Sequence, residues 1–141
     1  MARVRPYTNA CERLKGVGLR STHQRVALAK LLFDGTDRHV RAEQLYSEAL
    51  AAGVRVSLAT VYNTLHQFTE VALLREVAIE SGRTYFDTNI SDHHHFFHEQ
   101  TGELRDIPVG QLVIGQLPDP PAGQALKRVD VIVRVIDRDD G

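Results

Sequence analysis

The sequence predicts an α+β fold on three observations. Apolar residues recur at helical spacing, with cap residues between the runs, as far as Phe68. Two β-prone runs then flank Gly82, and a further set of short β-branched runs fills the remainder. Between these two strand regions four of the seven histidines fall within six positions, in Asp92-His93-His94-His95-Phe96-Phe97-His98-Glu99. With 141 residues, 43% hydrophobic and 25% charged, the chain has the make-up of an ordinary globular protein with room for one domain or two small ones.

Thr8 to Val17 reads as a first helix, capped by Thr8 or Asn9 and ended by Gly16 and Gly18. Ser21 and Gln24 stand at capping-box spacing before a second, mostly buried helix that carries Val26, Leu28, Ala29, Leu31, Leu32 and Phe33. Asp34 to Arg41 is a polar linker. Arg41 to Ala52 is a third helix, stopped by Gly53. Ser57 caps a fourth, Leu58 to Phe68, in which Leu58, Val61, Leu65 and Phe68 share one stripe. Leu73 to Ile79 and Thr84 to Asp87 form a hairpin through Glu80-Ser81-Gly82-Arg83. Beyond the histidines, Gly102 to Ile107 alternates like a strand, and Pro118 to Gly123 is a rigid loop. Val129 to Ile136 is the strongest strand, with Val129, Val131, Val133 and Val135 on one side; the tail from Asp137 is expected to fray.

Helix, turn, helix and hairpin is the order of a winged helix-turn-helix. The expected fold is therefore an N-terminal winged helix-turn-helix, residues 1–88, followed by a small α/β dimerisation and ligand-sensing domain, residues 89–141. The fourth helix supplies the chemistry for this reading. The face opposite its apolar stripe carries Ala59, Thr60, Asn63, His66 and Gln67, with Tyr62 on the flank, and has no charge. A solvated surface helix usually prefers Lys and Glu there. A helix entering the DNA major groove wants short residues and amides that reach base edges. Ser57, Ala59, Thr60, Tyr62, Asn63 and His66 are the candidate groove residues, with Arg20 and Arg83 at the phosphates. Charge agrees in sign: residues 1–89 hold 12 Lys and Arg against nine Asp and Glu, and residues 90–141 five against nine. Three short strands make a marginal sheet alone, so a homodimer is expected, as two-fold operator DNA also requires.

If Asp92 to His98 is a strand, His93 and His95 share a face with Phe97, and His94 and His98 share the other with Phe96. Imidazoles at i and i+2 sit close enough to grip one ion. Asp87, Asp106 and His39 are the additional donors, and this imidazole–carboxylate set suits Fe²⁺, Mn²⁺ or Zn²⁺. A polar surface patch is the bland alternative. Haem competes as a ligand, because His93, His94 and His95 offer axial imidazoles beside Phe96 and Phe97. The single cysteine, Cys11, excludes an internal disulfide and a Cys₄ structural zinc site. The apolar runs are too short for a signal peptide or a membrane span, so a cytoplasmic protein with no membrane partner is expected.

The order of elements, with Leu19-Arg20-Ser21-Thr22-His23-Gln24-Arg25, Arg41-Ala42-Glu43-Gln44-Leu45-Tyr46 and Ser57-Leu58-Ala59-Thr60-Val61-Tyr62-Asn63-Thr64-Leu65, resembles the ferric uptake regulator superfamily over nearly the whole chain. Tyr85-Phe86-Asp87-Thr88-Asn89, His93-His94-His95-Phe96-Phe97 and Arg128-Val129-Asp130-Val131-Ile132-Val133-Arg134 look closest to its iron-response regulator branch. The resemblance implies a dimeric, non-enzymatic transcriptional regulator of iron and haem homeostasis that binds double-stranded operator DNA. It places His39, Asp87, His93, His95 and Asp106 on the regulatory metal positions, Arg20 and Tyr62 on DNA-contacting ones, and His93-His94-His95 on the haem-associated motif. His98 and Thr101 stand where many members have a zinc-binding Cys pair, and the branch's Cys-Pro haem motif is missing. A peroxide-sensing metal-dependent repressor of the same superfamily is the alternative. Outside it stand a non-haem iron enzyme built on two His and a carboxylate, and a plain dimeric interaction module.

Overall fold

Two helices of the N-terminal half begin where a hydroxyl side chain caps the backbone. The computed structural model describes residues 6–80 and 82–139, which form two compact units divided between Ile90 and Ser91. The first unit contains helices α1 (Pro6–Gly16), α2 (His23–Phe33), α3 (Ala42–Ala51) and α4 (Leu58–Glu70). It also contains strands β1 (His39–Val40), β2 (Arg75–Glu80) and β3 (Arg83–Asp87).

The cap of α2 is Thr22, not Ser21: its Oγ1 accepts the Arg25 N–H at 3.2 Å. Gln24 does not close a capping box; its amide donates instead to the Arg55 carbonyl at 3.1 Å. Gly53, at φ 77°, ends α3 in the left-handed conformation that glycine adopts without a Cβ clash. Val54 N–H then reaches Ala49 O at 2.9 Å and Gly53 N–H reaches Leu50 O at 3.1 Å, which satisfies two orphan carbonyls. Ala72 makes the same turn after α4 at φ 61°, where an alanine is strained. Leu14, Leu28, Leu32, Val40, Leu45, Val61, Leu65, Phe68 and Phe86 are buried together as the core of this unit. Leu58, expected on the buried stripe, is only half-buried, and Thr64 takes a buried place on α4.

The expected hairpin forms, with β2 and β3 antiparallel and Arg75 in register with Asp87. Arg83 begins β3 rather than sitting in the turn, and Ser81 of that turn lies outside the described residues. The segment read as a plain linker contributes a third strand. His39 and Val40 pair with Asp87 and Phe86, giving the sheet order β1-β3-β2.

The second unit is a three-stranded sheet of order β5-β4-β6, formed by β4 (His95–His98), β5 (Leu104–Asp106) and β6 (Ile132–Val135). No helix occurs among its described residues, so the expected α/β second domain is strand and loop; the chain as a whole is α+β. β4 runs antiparallel to β5 and parallel to β6. The period-2 pattern holds across the histidines: His93, His95 and Phe97 are buried while His94, Phe96 and His98 are half-buried. β6 is shorter than the run that suggested it, starting at Ile132, and it has no fully buried residue. The tail just after it is tied down. Asp137 N–H donates to Gln100 Oε1 at 2.7 Å, and His98 Nε2 lies 2.8 Å from Asp137 Oδ1.

Candidate metal centre and nucleic-acid interface

The two-residue strand β1 exists because its partner, β3, offers a free edge, and this pairing sets His39 opposite Asp87. The His39 Nε2 lies 3.2 Å from Asp87 Oδ2. Asp87 Oδ1 accepts the Asn89 N–H at 2.9 Å, and the side chain is 1% exposed. A carboxylate so far from water needs positive charge nearby. Arg75, in register with it across the hairpin, is also buried.

In the second unit, β4 with the residues before it and the paired β5 bring three further donors together. His93 Nδ1 lies 2.6 Å from the Ser91 carbonyl, which can only accept, so Nδ1 carries a proton and Nε2 is the atom turned toward the other donors. That Nε2 lies 3.2 Å from Asp106 Oδ1, and His95 Nε2 lies 3.4 Å from the same oxygen. The two rings pack at 4.5 Å between centroids, with their donor atoms and the carboxylate within 4.8 Å of one another. A lone pair aimed at a carboxylate oxygen is repulsive unless a proton or a cation lies between them. Imidazole nitrogen and carboxylate oxygen with no thiolate fit a divalent ion of the Mn²⁺, Fe²⁺ or Zn²⁺ kind, and the Ser91 carbonyl is the outer partner that such ligating histidines have.

The histidine triplet does not act as one block. His94 projects to the other face, where its Nδ1 accepts the Val131 N–H at 3.1 Å. His93 and His95 are engaged on the first face with Asp106. Three contiguous imidazoles therefore do not converge on a single porphyrin.

On the first unit, the expected groove face is displayed largely as its spacing implies. Ser57 Oγ accepts the Thr60 N–H at 3.1 Å and donates to Thr60 Oγ1 at 2.9 Å, capping α4. Ala59, Asn63 and His66 are exposed, Thr60 is half-buried, and His66 stacks edge-on against Phe86 at 5.6 Å. Gln67 is drawn away: its Oε1 accepts from Arg25 Nε and Nη2 at 3.3 and 3.2 Å, fastening α4 to α2. Arg20 is exposed before α2. Arg83 is half-buried and has its Nε 3.6 Å from Glu80 Oε1, an ion pair that a phosphate would have to displace.

Sequence reasoning missed the partner of Tyr62. Its hydroxyl donates to Glu43 Oε1 of α3 at 2.6 Å. This bond is the first cause holding the Glu43 carboxyl below its ordinary 4.5, and it raises the Tyr62 phenol above 10.0. It also missed Arg38, whose guanidinium grips Glu48 through two bonds of 2.8 and 2.6 Å. Opposite charge ten residues apart was the only signal for that pair, and β1 and the first turns of α3 lie between them.

Comparison with known proteins agrees with this architecture. The sequence pattern of the Ferric uptake regulator family matches residues 16–114. The chain is 35% identical over 81 residues to the ferric uptake regulation protein of Bordetella parapertussis, covering 57% of this chain and 58% of that one. It is 30% identical over 99 residues to the peroxide-responsive repressor PerR of Staphylococcus aureus, covering 70% and 66%. The chain thus spans between 58% and 66% of the length of these relatives. In fold it is similar to the ferric uptake regulator of Pseudomonas aeruginosa with manganese, with a TM-score of 0.67 at 24% identity, over 92% of this chain and 98% of that one. With a family pattern that spans most of its length and a fold shared along nearly all of it, this chain belongs to the ferric uptake regulator family.

Proposed function

We propose that the chain is a homodimeric, metal-responsive regulator of transcription, not an enzyme, that binds double-stranded operator DNA through α4. In this reading His39, Asp87, His93, His95 and Asp106 together hold one divalent cation. The carrying observation is the pair of half-sites, each a histidine–aspartate set with the ligand nitrogens turned toward a carboxylate. Neither half offers the four to six donors that Mn²⁺ or Fe²⁺ favours, whereas together they supply five. The Pseudomonas relative's manganese and the name shared by the family support the choice of metal.

A bound cation would supply positive charge shared by the five donors. The chain does the rest. β1 and β3 carry the ligands of the DNA-reading unit, and β4 and β5 with the residues before them carry those of the second. An ion held by both sets would limit the angles available between α4 and the dimer partner's α4, and so their match to half-site spacing. Pairing of two chains falls to the second unit, where Val109, Val113 and Ile136 stand 97%, 81% and 67% exposed and would gain from burial. In α4 the uncharged face of Ala59, Thr60, Asn63 and His66 enters the groove. Ser57 and the α4 N-terminus, with Arg20 and Arg83, meet phosphate.

Among possible ligands a divalent metal is preferred to haem, because the triplet splits between two faces. The regulated process is accordingly metal supply, iron first. Fluorescence anisotropy of labelled operator DNA tests the reading at one fixed salt concentration, with chelator-treated protein, then Mn²⁺, then haem. Binding that Mn²⁺ strengthens supports it. Binding that ignores Mn²⁺ and is released by stoichiometric haem would transfer the sensor role to haem. Oxygen added to His39 or His93 after peroxide treatment of the Fe²⁺ form would favour a peroxide sensor. Absence of specific binding in every state would end the DNA-regulator reading.

A further inference from the structure

Between the ligand strand β1 and the helices that lead into α4 runs a side-chain strut. Arg38 immediately precedes His39. Its backbone is bonded twice to Thr88, the residue that follows β3: its N–H donates to Thr88 Oγ1 at 2.8 Å, and its carbonyl accepts the Thr88 N–H at 3.1 Å. Its guanidinium spans the space to the helices. Nη1 donates to Glu48 Oε1 at 2.8 Å and to the Leu31 carbonyl in the last turn of α2 at 3.3 Å, while Nη2 donates to Glu48 Oε2 at 2.6 Å. One planar group thus ties β1 to both α2 and α3. The fork-to-carboxylate geometry fixes direction as well as distance, which a lysine could not do.

The side chains of Arg38 and Glu48 are 28% and 32% exposed, so the pair adds little to global stability. Its position gives it a different use. A shift of β1 toward a cation at His39 and Asp87 would move the Arg38 backbone, and the rigid fork would pass that displacement to α3. From α3 the chain turns through Gly53 and residues 54–57 directly into α4. The guanidinium also holds the Glu48 carboxyl below its usual range, so the bridge stays ionised through the neutral range.

We infer that Arg38 and Glu48 are the positioning pair that couples occupancy of the metal site to the placement of the DNA-reading helix. The inference rests on the metal-responsive DNA-binding reading above. Glu48→Gln keeps the shape and removes one charge and one acceptor; Arg38→Lys keeps the charge and removes the fork. Gln44→Ala is the control, since Gln44 also donates to Glu48 Oε2, at 3.3 Å, without touching β1.

Two readouts on the full chain separate the possibilities. Operator anisotropy with and without Mn²⁺ gives the metal-induced gain in affinity, which for coupling of ordinary size is roughly 5–150-fold in the wild type. Amide hydrogen exchange of the metal-free chain reports on Val40 and Thr88. The expected result is that Glu48→Gln and Arg38→Lys bind Mn²⁺ as the wild type does, exchange faster at those amides, and lose most of the gain, while Gln44→Ala keeps it. A full gain in Glu48→Gln overturns the inference, and faster exchange alongside a full gain reduces the pair to local structure. A wild type whose operator binding ignores Mn²⁺ overturns the function reading and the coupling with it, a failure visible before any variant is compared.

Discussion

Asp106 offers a clean separation of metal binding from folding. One carboxylate oxygen faces both His93 Nε2 at 3.2 Å and His95 Nε2 at 3.4 Å, yet the side chain is 42% exposed. Its replacement by alanine leaves no buried carboxylate behind, and solvent reaches the position, so the metal-free protein loses at most about 0.5 kcal/mol. The metal-bound protein behaves differently. An ion at a hundred times its dissociation constant stabilises the wild type by about 2.7 kcal/mol. If losing one of five donors weakens binding about a hundredfold, the same Mn²⁺ concentration stabilises Asp106→Ala by only about 0.4 kcal/mol. A stability change of about 1 kcal/mol moves the melting midpoint by roughly 2–8 °C in chains of this size range. The wild type should therefore melt roughly 5–20 °C higher in Mn²⁺ than in chelator, and the variant within about 3 °C. The assay is a thermal melt followed by circular dichroism at one pH, with and without Mn²⁺. Equal Mn²⁺-induced shifts in the two proteins would refute the assignment of Asp106. A variant already melting far below the wild type in chelator would refute the argument from its exposure.

Other consequences are open to simpler measurements. Ala72 sits at φ 61°, which costs an alanine about 1–2 kcal/mol that glycine escapes, against about 0.5–1 kcal/mol of extra chain entropy. Ala72→Gly should therefore raise stability in urea unfolding by up to about 1 kcal/mol. The Glu43–Tyr62 bond should appear at both ends of the pH scale. The Glu43 carboxyl lies below its ordinary 4.5, so the stability it contributes is fully present above pH 4.5 and is lost as pH falls through its lower folded value. Tyr62 lies above its ordinary 10.0, so its contribution is present below pH 10.0 and is lost as pH rises through the higher folded value. Phenolate absorbance should show one late-titrating tyrosine that Glu43→Gln restores to the ordinary range. On DNA, Asn63→Ala should lose about 1–3 kcal/mol on the preferred operator and relax base preference, whereas Arg20→Ala should weaken all sequences alike and lower the salt slope by about 1. Competition anisotropy over a salt series distinguishes the two.

What was legible in the sequence followed from local periodicity. The alternation of buried His93, His95 and Phe97 with half-buried His94, Phe96 and His98 is a property of an extended chain, and it survives although β4 itself begins only at His95. The apolar stripe of α4 and the hairpin after it were readable for the same reason. Errors arose where two local patterns are equivalent or where a distant partner decides. Ser21 and Thr22 are adjacent hydroxyl residues, and nothing in the pattern says which one adopts the extended cap conformation; the structure gives it to Thr22. Strand β1 has only two residues, and its existence depends on an edge of β3 almost fifty positions away. The run from Val129 to Ile136 is β-prone throughout, but β4 pairs only with Ile132 to Val135. The candidate metal residues were found from residue chemistry and a family likeness, whereas the proton on His93 Nδ1 required the Ser91 carbonyl to be placed beside it.

The most direct test of the central claim is the stoichiometry and affinity of Mn²⁺ for the chelator-stripped chain, measured by equilibrium titration on the wild type, His39→Ala and His95→Ala. The account predicts one tight ion per chain, and a loss of at least about tenfold in affinity in each variant, because ligand changes of this kind carry such factors. An affinity unchanged by His39→Ala but lost in His95→Ala would contradict it. The second unit would then bind metal by itself, and no ion would link it to the DNA-reading half.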